Sequence, residues 1–583
     1  MDDTVCRMAA IVGKKFVRTD ELELIAYGRD MSVHEGIPEI VVLPRATEQV
    51  QAILRIANAK GIPVTPRGAG TSVTGSVLPV KGGIVLDLTR MDQVRPVDTK
   101  GRSMVVGPGV ICAKADAVAR KRGLFFPPDP GSSEVCTIGG MAATNATGLR
   151  AVKYGPTRNW IKALEVVLPD GSIVRSDERP PRAVSGYDLT HVFTSSEGTL
   201  GVITELTLEL EPIPSHSRVI SASFDDLRDA GKAITDMHNA GMDLSCCEIM
   251  DRDSIRAARR ALGGGLAEHD AMLIMEIAGD KAHVASEANK VVKACRNAGA
   301  VMVTSTDDAR KGAMIWAGRR GLVSGFSRIR PGARLVPVAE DFGVPPSRMA
   351  EAIRGIQRIA KRNKMSIITF GHGDGNLHPT FLVDVRSRYE WDRLRKAAHE
   401  LVDLALGMGG TIAAEHGIGI AKAPFIRKER GAAIDAMVAI KGALDPRGIM
   451  NPGKMGLAGG DADIYDHFAF KKIVGRARSV HSFGKAIDDE VLTCTQCGLC
   501  RKGCPAFRAK GMESYHAKGL MALAFKLYDG SIGLDRQLAE RFGHCRSCRR
   551  CMELCPAGID VPSVVKEIRR RLAGAGVTSG GKA

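Results

Sequence analysis

The sequence predicts a multidomain α+β protein that ends in a mostly α-helical domain, and three observations indicate this. Its 583 residues exceed what one hydrophobic core organises, so we expect two to four domains. The first two hundred residues alternate short β-type runs with glycine-rich turns, and residues 215 to 455 mix helical segments with short strands. Eight of the 14 cysteines fall between residues 494 and 555, in a mostly helical context.

Individual segments of the first half support this class. The run EIVVLP (39–44) predicts a strand that ends at the proline, and the following residues Val50, Ile53 and Leu54 recur at the spacing of one helix face. Later, TELTLEL (204–210) alternates leucine with polar residues, which predicts a strand buried on one side.

The net charge of +17 raises the question of a nucleic-acid or membrane partner. The chain has no run of five basic residues and only 4% aromatic residues, whereas binders of single-stranded nucleic acid need aromatic stacking platforms. We therefore expect no nucleic-acid partner. No apolar stretch approaches 18 residues, and the acidic start MDDTVCRMAA lacks the order of a signal peptide. We expect a cytoplasmic protein, with at most peripheral membrane association.

The strongest motif is CTQCGLCRKGCP (494–505), which is repeated as CRSCRRCMELCP (545–556). Each has the spacing C-x2-C-x2-C-x3-C-P of a [4Fe–4S] site, in which the fourth cysteine ligates the other cluster. The predicted ligands are Cys494, Cys497, Cys500 and Cys555 for one cluster, and Cys545, Cys548, Cys551 and Cys504 for the second. The alternative is a pair of zinc knuckles, but structural zinc prefers two cysteine pairs separated by a longer loop.

About forty residues separate the two cysteine motifs, and MALAFKLY (521–528) between them predicts a helix. This arrangement resembles the helical two-cluster ferredoxin modules of succinate dehydrogenase, heterodisulfide reductase and glycolate oxidase subunits. From Lys485 onward the chain has 17 basic and 10 acidic residues, a net charge of +7. These cations favour reduced clusters and an acidic partner, or they form a solvated basic face.

The glycine-rich loop PRGAGTSVTG (66–75) permits close approach of backbone N–H groups to a phosphate. It is not a Walker A loop, because no Gly-Lys-Ser/Thr follows, and Val73 occupies the third glycine position of the Rossmann fingerprint. By itself this loop is equally an ordinary tight turn.

Three further segments occur in order with this loop: FPPDPGSSEVCTIGGMAATNATGLRAVKYGPTRNW (126–160), GYDLTHVFTSSEGTLGVIT (186–204) and NPGK (451–454). Together they resemble the FAD-binding oxidases of the vanillyl-alcohol oxidase and p-cresol methylhydroxylase (PCMH) superfamily, over roughly residues 20 to 455. The particular branch is that of D-lactate dehydrogenase, glycolate oxidase and D-2-hydroxyglutarate dehydrogenase.

The resemblance implies a PCMH-type α+β FAD-binding domain (1–213), an α+β substrate or cap domain (214–455), a linker (456–485), a helical ferredoxin-type domain (486–572) and a disordered tail (573–583). It implies FAD bound without a covalent link, because Thr71 stands where some members have the attachment histidine. The residues implied for the FAD site are Pro66, Arg67, Gly68, Ala69, Gly70, Thr71, Ser72, Gly75, Pro127, Asp129, Ser133, Thr137, Gly139, Gly140, Ala143, Asn145, Gly148, Tyr154, Gly155, Glu197, Gly198, Gly201, Ile203 and Asn451.

Three motifs of the second half bear on the substrate. WAGR (316–319) offers Arg319, whose planar guanidinium suits a carboxylate, and AAEHGIG (413–419) places Glu415 beside His416. In FGHGDGNLHP (370–379) polar residues alternate, so an extended chain directs them to one face. The resemblance implies a divalent metal (Zn, Mn or Fe) on His378 and Glu415, His416 as general base and Asn376 as a substrate contact.

His372 is the third predicted metal ligand. The family spacing His-x-Gly-Asp-Gly-Asn-x-His has two residues between the first histidine and the aspartate, whereas only Gly373 separates His372 from Asp374 here. Gly371 therefore occupies the histidine position of the family, and a shift of one residue in a strand reverses the face of a side chain. The alternative role of His372 is a hydrogen bond near the flavin.

The sequence thus predicts an FAD-dependent dehydrogenase of a D-2-hydroxy acid, with D-lactate first and glycolate or D-2-hydroxyglutarate next. Electrons pass through two [4Fe–4S] clusters to a separate acceptor, either an iron–sulfur protein with CCG repeats or an electron-transfer flavoprotein, or to a quinone-linked chain. The alternatives are an electron-bifurcating or reverse-acting 2-oxo acid reductase, an ether-lipid synthase on the same fold, and a zinc-binding nucleic-acid protein.

Overall fold

The computed structural model describes residues 2–176, 185–264, 267–459, 462–476 and 481–578. The described residues of its N-terminal part contain ten strands: β1 (Val17–Arg18), β2 (Ile40–Val42), β3 (Val64–Arg67), β4 (Ile84–Asp87), β5 (Ser103–Val106), β6 (Leu124–Phe125), β7 (Ile161–Val167), β8 (Ile173–Ser176), β9 (Val202–Glu209) and β10 (Glu211–Pro212). Its helices are α1 (Asp2–Val12), α2 (Glu21–Tyr27), α3 (Thr47–Lys60), α4 (Cys112–Arg120), α5 (Ile138–Thr144), α6 (Ala151–Tyr154) and α7 (Leu189–Phe193).

These strands form two four-stranded sheets. The first has the order β1-β2-β4-β3 with β2, β3 and β4 parallel, and α3 buries Val50, Ile53 and Leu54 in its core as the helical spacing predicts. The second has the antiparallel order β5-β9-β7-β8, and the alternating leucines of β9 face its core. β6 pairs with β10 in a separate short ribbon. The strands predicted from EIVVLP and TELTLEL are therefore confirmed.

The middle part is built on one eight-stranded antiparallel sheet. Its strands are β11 (His216–Phe224), β12 (Cys246–Asp251), β13 (Ala271–Gly279), β14 (Met302–Thr306), β15 (Arg334–Val336), β16 (Phe342–Gly343), β17 (Ser366–His372) and β18 (Asn376–Val383). The order is β14-β11-β13-β12-β17-β18-β15, and β16 also pairs with β18. Its helices are α8 (Leu227–Asn239), α9 (Arg252–Ala261), α10 (Lys281–Asn297), α11 (Ala309–Ser327), α12 (Met349–Arg362), α13 (Arg388–Gly407), α14 (Ile426–Arg430) and α15 (Ala433–Leu444).

The C-terminal part is helical, as predicted. It contains α16 (Lys485–Thr493), α17 (Pro505–Lys510), α18 (Ala517–Tyr528), α19 (Arg536–Gly543), α20 (Arg550–Glu553) and α21 (Val561–Gly574). The helix predicted from MALAFKLY lies within α18, which is buried along its whole length. Of the predicted disordered tail, residues 579–583 lie outside the described residues, and α21 extends into its start. Among the described helices, none combines the length and apolar character that a membrane span requires.

The helical part packs directly on the N-terminal part. The buried Glu23 of α2 accepts hydrogen bonds from the backbone N–H groups of Glu513 and Ser514, at 2.8 and 2.9 Å. Arg541 forms an ion pair with Asp20 at 2.6 Å. One continuous hydrophobic core includes side chains of α2, of β18 and of α18, so the ferredoxin-type part is fixed against both other parts.

The predicted linker at 456–485 is packed against the rest of the protein where it is described. Phe470 has no exposed surface, and Ile464 and Ile473 belong to the same core as the helical part. The ring of His34 hydrogen-bonds the carbonyl of Ile464 at 2.9 Å. The apolar residues of this segment contribute to the interface that joins the parts, which its glycine-rich start did not reveal.

Candidate active site

The hairpin of β17 and β18 presents polar side chains to a cavity. Phe370 lies opposite His378 in the antiparallel register, and cross-strand partners point to the same face. His372, two residues after Phe370, therefore shares this face and is almost fully buried. Glu415 and His416 approach the face from the loop that precedes α14, and Glu340 approaches from the loop between β15 and β16.

The acidic and imidazole groups meet at Glu415. Its carboxylate lies 3.2 Å from His378 Nε2 and 3.1 Å from His416 Nε2. His416 Nδ1 lies 2.6 Å from Glu340 Oε1, and His378 Nδ1 lies 3.5 Å from Glu340 Oε2. Thr147 of the N-terminal half donates a hydrogen bond to Glu415. The predicted residues His378, Glu415 and His416 are thus brought together, with Glu340 as a further carboxylate.

His372 lies in the same site despite the shortened spacing. Its Nε2 is 3.9 Å from Glu415 Oε2, and its Nδ1 hydrogen-bonds the buried Glu248. The turn after it is tight, because a Cβ at Gly373 would lie 2.5 Å from Cys247 Sγ and Gly375 has φ +107°. This glycine turn absorbs the missing residue, so the side chain of His372 keeps its face.

Glu248 also contacts Arg319, the residue predicted to bind the substrate carboxylate. Its Oε2 accepts a hydrogen bond from Arg319 Nε at 2.5 Å, and the guanidinium lies over the Phe370 ring, 4.3 Å from its centroid. Among the described residues, nothing accepts from the two terminal nitrogens of Arg319, and the side chain lines the cavity. Arg319 is therefore oriented by Glu248 while its fork remains free for an anion.

The backbone of the Glu415–His416 loop is held by Asp341. Its carboxylate accepts the N–H of Glu415 at 3.0 Å and that of His416 at 2.8 Å. Lys422 Nζ donates to the same carboxylate at 2.9 Å, and both partners of this ion pair are buried. This pair fixes the loop, because a buried charge without its partner is costly.

The charges of the site shift the pKa values of its histidines. Burial lowers the pKa of His372, but the carboxylates of Glu248 and Glu415 outweigh burial and raise it to about 9. Burial also opposes the charged form of His416, yet Glu340 and Asp341 hold its pKa well above the usual value. Burial raises the pKa of Glu340, but His416 and His378 outweigh burial and hold it below its usual value. The cluster is thus a network of compensating charges.

This donor set fits a divalent metal. One ligand atom from each of Asp341, His378, Glu415 and His416 lies within 4.8 Å of the others. Imidazole nitrogen with carboxylate oxygen suits Zn, Mn or Fe. Asp341 already accepts from Lys422 and from two backbone N–H groups, whereas the Nε2 atoms of His378 and His416 lie at similar distances from Glu415, 3.2 and 3.1 Å.

Asn376, predicted as a substrate contact, begins β18 and is almost fully buried. Its Oδ1 has no hydrogen-bond partner among the described residues, and it is not among the residues that line the cavity. Thr380, two residues beyond His378 on the same face, lines the cavity instead. The alternation that selects His378 also selects Thr380, so this residue could have been found from the sequence.

The same cavity, of about 690 Å³, extends from this cluster across the glycine-rich loop. Its size suits a large organic cofactor. Most of the predicted FAD residues line it: Pro66, Arg67, Gly68, Ala69, Gly70, Thr71, Ser72, Asp129, Thr137, Gly139, Gly140, Ala143, Gly148, Glu197, Gly198, Gly201 and Ile203. A Cβ at Gly148 would lie 2.3 Å from the carbonyl oxygen of Asp129, so only glycine lets these two segments meet.

The other predicted FAD residues are not in the cavity lining: Gly75, Pro127, Ser133, Asn145, Tyr154, Gly155 and Asn451. Two of them have clear supporting roles. Asn145 ends α5 with φ 53° and accepts the N–H of Arg158, whereas Asn451 donates to the carbonyls of Ser76 and Glu197 at 2.8 and 2.7 Å. These residues hold the walls of the cavity together.

The cysteines divide into the two predicted groups. Cys494, Cys497, Cys500 and Cys555 (the proximal cysteines) line the large cavity. Cys504, Cys545, Cys548 and Cys551 (the distal cysteines) line a second, smaller cavity, and Cys551 borders both. The crossed assignment of the fourth cysteines therefore fits the fold.

Two buried cations lie beside the proximal cysteines. Lys518 of α18 donates to the carbonyl of Gly70 in the flavin loop at 2.9 Å, and burial lowers its pKa to about 8. Arg334 of β15 donates to the carbonyl of Cys494, and its Nε and Nη2 have no hydrogen-bond partner among the described residues. Buried cations that lack a full set of partners suit a site for an anionic iron–sulfur cluster.

Comparison with known proteins agrees with these sites. Residues 38–177 match the FAD binding domain, 213–455 the C-terminal domain of FAD linked oxidases and 490–559 the 4Fe-4S dicluster domain. The glycolate oxidase subunit GlcD of Bacillus subtilis is 37% identical over 425 residues, which are 72% of this chain and 90% of the relative. The mitochondrial D-lactate dehydrogenase [cytochrome] of Arabidopsis thaliana is 35% identical over 444 residues, 75% of this chain and 77% of the relative.

The chain belongs to the FAD-linked oxidase family. The predicted family, the FAD-binding part and the two-cluster part are thereby confirmed. The structure of p-cresol methylhydroxylase superposes with a TM-score of 0.65 at 18% identity, over 78% of this chain and 96% of that one. This likeness shows the shared PCMH-type fold.

Within this FAD-linked oxidase, sequence reasoning missed several residues of the site. Glu340 and Asp341 lie about 75 residues before their partners Glu415 and His416. Glu248 lies on β12, 124 residues from His372. No local pattern marks any of them, because each acquires its role only when the eight-stranded sheet brings its strand or loop to the hairpin.

Proposed function

We propose that this FAD-linked oxidase is a dehydrogenase that oxidises a D-2-hydroxy acid to the 2-oxo acid, with D-lactate as the first candidate and glycolate or D-2-hydroxyglutarate next. The observation that supports it is one cavity that contacts the histidine–carboxylate cluster, the flavin loop and the proximal cysteines in turn. The relatives named for glycolate oxidase and D-lactate dehydrogenase agree with this substrate class.

The residues of the histidine–carboxylate site have separate proposed roles. Arg319, with its terminal nitrogens free, binds the substrate carboxylate, and Glu248 orients it. Glu340 accepts from His416 Nδ1, so Nε2, which lies 3.1 Å from Glu415, is the nitrogen assigned to take the hydroxyl proton. It does so from the neutral ring, which a metal bound to Glu415 would favour, because that carboxylate would then no longer stabilise the charged imidazole. Apolar side chains near Arg319, among them Val323, Leu335 and Phe370, also line the cavity, which suits a substrate with a small apolar side chain.

The proposed cofactors supply the redox and metal chemistry that these side chains cannot perform. The chemistry that bound FAD supplies is acceptance of the α-hydrogen as a hydride. A divalent metal held by His378 and Glu415, with His372 as a further candidate, supplies polarisation of the hydroxyl. The two [4Fe–4S] clusters supply single-electron carriage, for which the proximal and distal cysteines are the ligands. The final acceptor is proposed to be a separate protein, such as a CCG-type iron–sulfur protein or an electron-transfer flavoprotein.

An anaerobic assay with an artificial acceptor, across D- and L-2-hydroxy acids, tests this proposal. We expect oxidation of D-isomers with bleaching of the flavin absorbance. Oxidation of L-isomers alone would contradict the assigned substrate site, and an absence of flavin absorbance would contradict the whole proposal. Rapid reduction of 2-oxo acids with no measurable oxidation would favour the reverse-acting alternative.

Two variants separate the assigned roles. Arg319→Ala should mainly raise KM, because the arginine binds the substrate in ground state and transition state alike, and His416→Ala should mainly lower kcat. Arg310→Ala, at an exposed position near the start of the same helix, is the matched control and should change neither. The opposite pattern for Arg319 and His416 would show that the two roles are assigned wrongly.

A further inference from the structure

The two cysteine groups differ in their surroundings. The proximal cysteines line the deep flavin cavity, whereas the distal cysteines line a small cavity of about 30 Å³ that is bordered by exposed residues. Cys548 is the exposed member of the distal group. Because Cys551 borders both cavities, the distal site continues the path that begins at the flavin loop. An electron that reaches the distal site is therefore at the surface of the protein.

Three exposed arginines surround Cys548. Arg546, Arg549 and Arg550 all line the distal cavity. Among the described residues, none forms an ion pair with these guanidinium groups or accepts a hydrogen bond from them. Arg549 has φ 62°, a conformation that non-glycine residues rarely adopt, and it precedes the short helix α20.

Other arginines close by have structural partners. Arg569 donates to the carbonyls of Phe542 and Cys545, at 2.7 and 2.6 Å, and so braces the backbone at the start of the distal motif. Arg570 forms an ion pair with Glu567 at 2.8 Å. The contrast shows that Arg546, Arg549 and Arg550 are not needed to build the fold around the cluster, although they stand beside its exposed ligand.

We propose that Arg546, Arg549 and Arg550 around Cys548 form the docking surface for a protein electron acceptor that carries carboxylates around its own redox centre. This inference rests on the proposed function for the source of the electrons. Unpaired positive charge steers an acidic partner to this face and fixes its orientation. Contacts of small area are typical of such transient electron-transfer encounters, so no large apolar patch is required.

Transfer of electrons from the distal cluster to the acceptor forms and breaks no covalent bond. Oxidation of one substrate molecule delivers two electrons and two protons: the hydroxyl proton, and the proton that remains of the α-hydrogen once its two electrons have been passed on. Each electron leaves the distal cluster singly, which oxidises that cluster by one electron and reduces one acceptor centre by one electron. Two acceptor molecules, or two encounters with one two-electron acceptor, complete one turnover.

The test uses protein that has been reduced with dithionite and freed of excess reductant, so that it does not depend on the substrate. The probes are cytochrome b5, whose haem edge is surrounded by carboxylates, and cytochrome c, whose haem edge is surrounded by lysines. The surface variant is R546E/R549E. The matched control is R536E/K566E, which makes the same charge change at two exposed positions of the same part outside the distal cavity. Cluster content by electron paramagnetic resonance confirms that each variant is folded.

We expect the second-order rate with cytochrome b5 to fall at least tenfold in R546E/R549E, with a weaker dependence on ionic strength, and to rise with cytochrome c. In R536E/K566E both rates should stay within twofold of the wild type. Equal effects of the two double variants, or no effect of either, would overturn the inference. Loss of binding to anionic phosphatidylserine vesicles, with unchanged cytochrome b5 rates, would show that the arginines contact a membrane, which also overturns it.

The outcome is independent of the substrate assignment. If no 2-hydroxy acid bleaches the flavin but the dithionite-reduced protein still discriminates between the two cytochromes through Arg546 and Arg549, the proposed function fails and the docking surface stands. If D-lactate reduces flavin and clusters while discrimination is absent, the docking surface fails alone.

Discussion

Glu248→Gln is the substitution that most directly tests how the substrate site is held. Glu248 has no exposed surface and contacts both Arg319 and His372. Glutamine has nearly the same volume, but it offers one acceptor oxygen and turns an NH2 group toward a donor. At least one charge-assisted hydrogen bond is therefore lost, which costs about 1.5–3 kcal/mol. Since about 1.4 kcal/mol corresponds to a factor of ten, kcat/KM should fall by about 10- to 150-fold.

The assay is steady-state oxidation of D-lactate with an artificial acceptor, with FAD content measured in the same preparations. Glu205→Gln, at a carboxylate of β9 that pairs with Arg95, is the control and should leave kcat/KM unchanged. A kcat/KM within twofold of the wild type at normal FAD content would refute the assigned role of Glu248.

A double-mutant cycle identifies the partner through which Glu248 acts. If it acts by orienting Arg319, the effects of Glu248→Gln and Arg319→Ala should be strongly non-additive, because residues in contact couple. Additive effects would direct attention to His372 instead, the other partner of this carboxylate.

Three further predictions follow from single contacts. Gly148→Ala should purify with little FAD, judged by the ratio of flavin to protein absorbance, because the new Cβ meets the Asp129 carbonyl, whereas Gly442→Ala in open space should retain FAD. Glu23→Ala leaves two buried N–H groups without an acceptor, so the free energy of unfolding in urea titrations should fall by about 2–6 kcal/mol. An unchanged midpoint would contradict the role of Glu23 in joining α2 to the helical part. Lys518→Met should lower the reduction potential of the proximal cluster by at least about 59 mV, which is a factor of ten for one electron. A potentiometric titration followed by electron paramagnetic resonance measures this potential, and an unchanged value would show that this cation does not act on the cluster.

Local spacing was sufficient to predict the parts of the site whose residues lie close together in the chain. The two cysteine motifs specify their groups because three ligands of each cluster lie within seven residues, and the glycine-rich loop meets the flavin cavity with a continuous stretch of backbone. Strand alternation likewise selects His378, since a β-strand directs every second side chain to one face.

The alternation of side chains along a strand could not decide whether His372 and Asn376 reach the cavity. The shortened spacing before Asp374 left the face of His372 undecided, and Gly373 and Gly375 form a turn that only the packed neighbours Cys247 and Val344 define. Asn376 obeys the rule and still stays outside the cavity lining. A pattern describes the direction of a side chain, whereas its access to a cavity depends on what packs around it.

The sequence by itself determined the family, the FAD and iron–sulfur parts, and the motifs that form the walls of the site. Only the tertiary structure decided how these walls are held and joined. Glu248, Glu340, Asp341 and Lys422 act on residues that lie tens to more than a hundred positions away, and Glu23 joins the first helical segments to the ferredoxin-type part across 490 residues. The physical reason is that a buried charge must find its partner wherever the fold supplies one, and that pairing leaves no periodicity or local spacing in the chain.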